Sequence, residues 1–136
     1  MLRGVLANKE QYQPGLSIDC VIFGFHDNQL KVVLIKTKYS DQWALPGGFV
    51  SVDEDIDQAA VTVLQGRTGL KGIFLRQFFT FGAVKRNNID FNTQVLNFYE
   101  IPLGKGKWYA SRFITVGYYA LVDFFKTVPN LDLYTF

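Results

Sequence analysis

Acidic residues crowd one short stretch of this chain: Asp53, Glu54, Asp55 and Asp57 all fall within SVDEDID, and a basic residue, Arg67, stands further along the same segment. Clustered carboxylates suggest a divalent cation, because hard cations take oxygen ligands. They also have a purely structural use, since negative side chains in the first turn of a helix suit its dipole. Ser51 and Glu54 have the capping-box spacing, which predicts a helix starting here and gives Glu54 a capping role. Arg67 is open to two readings, as a last-turn cation that suits the dipole or as a holder of an anionic ligand that is bound and not cleaved. Other chemistries are excluded. With one cysteine and one histidine the chain can form neither an intrachain disulfide nor a Cys/His zinc site. Cys20, inside SIDCVIFGF, reads as a small buried hydrophobe. His26, in the polar turn HDNQ, has no nearby Ser or Cys nucleophile and reads as a surface residue.

The elements around this stretch follow from its neighbours. Residues 1–16 read as an N-terminal leader ending at the turn dipeptide Pro14-Gly15. SIDCVIFGF and LKVVLIK are rich in β-branched and aromatic residues and predict a hairpin across HDNQ. Trp43-Ala44-Leu45 is a short extended piece before Pro46-Gly47-Gly48, where the backbone is expected to need glycine's freedom. Ile56, Ala59, Ala60, Val63 and Leu64 recur at helical spacing. Gly69 supplies a left-handed cap, and Gly66 softens the last turn by about 1 kcal/mol relative to alanine. IFLRQFFTFG, TQVLNFYEI and RFITVGYYALVDFF each predict a strand, the last with a possible helical turn after Asp123. KRNNIDFN and PLGKGKWYAS read as loops, with Lys105 and Lys107 as solvated turn residues.

Composition sets the outer limits. A chain of 136 residues, 49% hydrophobic and 19% charged, is one domain able to bury a core without disulfides or structural metal. Residues 17–136 are expected to form it, truncated at the C-terminus, because LDLYTF stays apolar and aromatic to its last residue. The N-terminus lacks a signal-peptide core, charges interrupt every apolar stretch, and no membrane partner is expected. A net charge of +2 is too mild to argue for nucleic-acid binding by this segment. The expected location is cytoplasmic.

The stretch WALPGGFVSVDEDIDQAAVTVLQGRTGL resembles the box of the Nudix (MutT-like) family, G-x5-E-x7-R-E-U-x-E-E-x-G-U with U aliphatic. Gly48, Glu54, Leu64, Gly69 and Leu70 fall on that frame without a gap. Thr62 stands at the arginine position, and Val63, Gly66 and Arg67 stand at the three carboxylate positions. The resemblance implies an α+β Nudix fold, a mixed sheet between helices. It also implies lost chemistry: cleaving a phosphoanhydride in that family needs divalent cations, which valine and glycine cannot hold and arginine repels. No cofactor is therefore expected, and Mg2+ or Mn2+ enters only if relocated acids, Glu54 with Asp90 or Glu100, restore a hydrolase of nucleoside-diphosphate-linked substrates.

A narrower resemblance runs through SIDCVIFGF, the degenerate box, FFTFGAVKR and RFITVGYYALV to the Nudix-related transcriptional regulators. It implies a homodimeric sensor of a sugar such as arabinose or a nucleotide sugar such as ADP-ribose, with DNA bound only through a C-terminal winged helix-turn-helix beyond this sequence. The stretch 87–111 is longer than the resemblance leads one to expect. Candidate ligand-binding residues are Trp43, Gly47, Gly48, Arg67, Arg76, Phe81, Arg86, Arg112 and Tyr118, with Glu54 catalytic only in the hydrolase case. A non-catalytic module that dimerises through exposed aromatics is the remaining alternative.

Overall fold

A computed structural model describes residue 5 and residues 8–38, 41–86, 89–123 and 133–135. Its spine is β1 (Tyr12–His26), which begins within the expected leader. Pro14-Gly15 does not end it: the strand runs through a register irregularity there, with Gly15 at φ 67° absorbing the kink. Two further strands pair antiparallel with β1. Its C-terminal half pairs with β2 (Gln29–Val33) through a two-residue turn at Asp27 and Asn28, both at positive φ. Its N-terminal half pairs with β5 (Gly47–Ser51). LKVVLIK is interrupted at Leu34, so Ile35–Lys36 forms β3 and pairs with β4 (Trp43–Ala44).

β6 (Arg76–Phe81) lies antiparallel to β7 (Ile114–Leu121), and β7 runs parallel to β1. β8 (Leu133–Thr135) pairs with β2 and completes the order β6-β7-β1-β2-β8. The sheet is mixed, as the α+β expectation required. The residues directly after Asp123, where a helical turn was expected, lie outside the described residues.

Helix α1 (Ile56–Thr68) starts later than the capping-box reading placed it. Asp55 is its N-cap without a side-chain capping bond, while the Ser51 N–H still donates to Glu54 Oε1 at 3.4 Å. Its end follows the expectation, with Gly69 at φ 77° and its N–H on the Gln65 carbonyl at 2.8 Å. Ala59, Ala60 and Leu64 press onto Ile18, Cys20 and Ile22, the alternate residues of β1, and Val116, Tyr118 and Ala120 of β7 close the same core. Burial pushes the Cys20 thiol up to about 12, as its apolar surroundings demand.

A polar tie holds this helix to the sheet. The Tyr118 hydroxyl donates to the Asp57 carboxylate and accepts from Gln77 Nε2 at 3.1 Å. Burial first, then the bond to Asp57, raises the phenol from 10.0 to about 12. The folded state thus favours the neutral phenol, so its stabilisation is whole below pH 10 and fades as pH climbs toward about 12. Tyr118→Phe is expected to lower unfolding stability by about 1–2 kcal/mol at neutral pH. It should also flatten part of the alkaline loss, which urea denaturation at neutral pH and above pH 10 would read.

The largest departure from expectation lies between β6 and β7. TQVLNFYEI is no strand and PLGKGKWYAS no loop: they fold as α2 (Ile89–Phe98) and α3 (Leu103–Ala110), with Lys105 and Lys107 inside the second helix. The run of apolar residues suits either period, and tertiary packing decides it. Val95 and Leu96 of α2 pack with Ile101 and Ala110 as a separate small cluster. Among the described residues no helix is long and apolar enough to cross a membrane.

Candidate functional site

A cavity of about 780 Å³ opens where β1, β5, the end of α1 and the helical pair meet. Ser17, Asp19 and Thr115 line it from neighbouring strands, with the Ser17 and Thr115 hydroxyls 2.7 Å apart. Glycine at 47 and 48 is demanded here by close approach, and neither residue has a positive φ. A Cβ on Gly47 would lie 3.0 Å from the Ile18 carbonyl oxygen and still closer to the Asp19 carboxylate, and one on Gly48 would lie 2.9 Å from Val63 Cγ2.

Arg67 reaches back from α1 and donates through Nε to the Gly47 carbonyl at 2.9 Å. That bond leaves its terminal nitrogens for the cavity, which Arg67 lines together with Lys36, Lys38 and Arg86. The chemistry such a wall offers is anion binding.

Among the described residues Asp19 is the one acid lining the cavity, and nothing in the sequence singled it out, because its place in SIDCVIFGF reads only as strand. Burial raises its carboxyl above the ordinary range, and Arg86 pulls it partway back. A raised carboxyl stabilises the fold fully below 3.8 and loses that contribution as pH rises, so at neutral pH the charged form is a burden. Asp19→Asn is expected to raise the melting temperature at neutral pH and to weaken its rise on mild acidification. A lower melting temperature in the variant would contradict this electrostatic account.

The sequence-derived candidates divide. Gly47, Gly48, Arg67 and Arg86 line the cavity. Trp43 does not; it is exposed, with Lys36 Nζ 5.9 Å from its ring. Arg76 lies over Phe74 on the outer strand, and Phe81 sits under Arg86. Arg112 donates to the Gly82 carbonyl at 2.6 Å outside the cavity, and Tyr118 is buried in the core. Asn92, Tyr99, Tyr109 and Phe113 line the cavity and were missed, since their segments read as strand and loop. Helical spacing of Phe91, Val95 and Tyr99 was the available signal.

The donor set does not fit a divalent cation. Val63 packs against Gly48, Gly66 is exposed with open space around it, and Arg67 brings positive charge. Glu54 is occupied elsewhere, accepting from Thr62 Oγ1 at 3.0 Å in the place of the family's arginine, and it does not line the cavity. Glu100 sits exposed in the turn after α2 at φ 56°, and the Asp90 side chain lies outside the described residues. Among the described residues no group of three His, Cys, Asp or Glu converges.

No family model matches the sequence. The solved NUDIX domain of Shewanella oneidensis NrtR complexed with ADP ribose shares 27% identity and a TM-score of 0.59, over 82% of this chain and 62% of that one. The chain has the Nudix fold. Its sequence likeness runs to the regulators: the ADPR responsive transcriptional repressor NtrR of Acinetobacter baylyi is 33% identical over 90 residues, 62% of this chain and 36% of that protein. The chain therefore spans about a third of that relative's length. Shewanella oneidensis NrtR complexed with a 27mer DNA gives 26% identity and a TM-score of 0.58, over 88% of this chain and 50% of that one. A mutT/nudix family protein from Listeria innocua, at 23% identity and a TM-score of 0.57 over 90% of this chain and 80% of that one, shares the fold.

Proposed function

We propose that this Nudix domain is the catalytically degenerate ligand sensor of a transcriptional regulator. The observation that carries the reading is the end of α1. Where the family's box places carboxylates, this chain has Val63, Gly66 and Arg67, and Arg67 is turned onto the Gly47 carbonyl beside an otherwise well-formed cavity. A hydrolase would need that charge reversed. A sensor uses it, because cations that would repel a metal attract the phosphates of a ligand directly.

The ligand is a nucleotide sugar in preference to a free sugar. Among the described residues Lys36, Lys38, Arg67 and Arg86 against the carboxylate of Asp19 give the lining a surplus of positive charge that a neutral sugar would not engage. Asp19, Ser17 and Thr115 offer acceptors and donors for sugar hydroxyls. ADP-ribose is the member of that class named with the relatives and the first to try. Binding would act by preferring one of two states of a homodimer joined to a C-terminal DNA-binding domain, in the cytoplasm, without a catalytic metal. Isothermal titration with ADP-ribose, UDP-glucose and arabinose tests this: saturable binding of a nucleotide sugar without added metal is expected. Binding of arabinose alone would overturn the ligand class, and a silent panel would overturn the sensing role.

A further inference from the structure

One wall of the cavity comes from chain that neither the box nor the sheet requires. The α2–α3 hairpin has its own apolar cluster, and its helices touch so closely that a Cβ on Gly106 would overlap the Leu96 side chain. Aromatic contacts dock it on the strands. The Trp108 ring is 5.0 Å from Phe49 and 6.0 Å from Phe113, and it stacks on Tyr12 at 6.1 Å. The Asn92 amide donates to the Tyr109 carbonyl at 3.3 Å and so ties α2 to α3.

This docked cluster is not sealed. Phe49, Tyr109 and Phe113 also line the cavity, and the hairpin adds Asn92 and Tyr99. The same cavity therefore combines a cationic lining from the sheet loops and α1 with an aromatic and amide lining from the hairpin. Cations suit phosphate, whereas aromatic faces beside an amide suit a planar ring with a hydrogen-bonding edge.

We infer that the α2–α3 hairpin is the ring-reading wall of this cavity, selecting ligands that join a planar heterocycle to phosphate over ligands carrying the phosphate alone. The inference rests on the ligand-sensing reading above. It is tested by titrating ADP-ribose into the wild-type domain and the Tyr99→Ala, Asn92→Ala and Tyr99→Phe variants, and by measuring inorganic pyrophosphate in competition. Tyr99→Ala is expected to weaken ADP-ribose about tenfold or more while moving pyrophosphate by less than about twofold. Tyr99→Phe keeps the ring and should keep most of the affinity. Unchanged pyrophosphate binding also shows that the variant is folded. Equal weakening of both probes, or ADP-ribose affinity indifferent to both alanine variants, would overturn the hairpin's role and leave the sensing function standing. A wild-type domain that binds neither probe would overturn both.

Discussion

Arg67→Gln is expected to weaken ADP-ribose binding by about 10- to 100-fold, the loss that follows from removing a charge-assisted hydrogen bond worth about 1.5–3 kcal/mol. The side chain has two tasks. Its Nε holds the Gly47 carbonyl, which steadies the turn between β4 and β5, and the rest of its guanidinium lines the cavity. Glutamine is neutral and shorter and can do neither fully. Arg76→Gln supplies the comparison, because Arg76 is exposed on β6 away from the cavity. Equal losses from the two substitutions would mean that net charge, not the position of Arg67, governs binding.

The largest effect on stability should come from Leu64→Ala. Leu64 is 2% exposed and is the large residue by which α1 enters the core formed by Ile18, Cys20, Val50 and Leu70. Removing it leaves a cavity between helix and sheet, which costs about 2–5 kcal/mol in comparable cores. The other buried residues of the helix are the smaller Ala59 and Ala60, so little else can fill the gap. Val61→Ala, one turn away and 39% exposed, should cost less than about 0.5 kcal/mol. Guanidinium denaturation compares the pair, and similar losses would contradict the packing described. Because α1 also carries Arg67, the Leu64 variant should lose ligand affinity as well as stability.

How far these features were legible depends on whether the signal was local. The hairpin at Asp27-Asn28, the apolar face of α1 and the Gly69 cap are written in short-range pattern, and each formed as the pattern required. The box frame located Gly48 and Arg67, and the turn before it Gly47, which the fold then set around the cavity. Asp19 was invisible because its neighbours in sequence are strand residues and its meaning comes from Gly47 and Arg86, distant in the chain. The hairpin was misread for another reason. Its apolar residues are aromatic and β-branched, which favours a strand locally, and only the contact of Val95, Leu96 and Ile101 selects the helical period. Arg112 was plausible as a donor and Tyr118 as an aromatic bordering the cleft, yet their partners, Gly82 and Asp57, keep them elsewhere.

We propose that the diphosphate-cleaving chemistry of this fold is gone while its binding cavity is retained. Anion-exchange chromatography of ADP-ribose after incubation with the domain and magnesium or manganese tests it most directly. Intact ADP-ribose is expected, indistinguishable from a heat-killed control. Metal-dependent formation of AMP and ribose 5-phosphate would contradict it, and would require carboxylates other than those at positions 63, 66 and 67 to hold the metal.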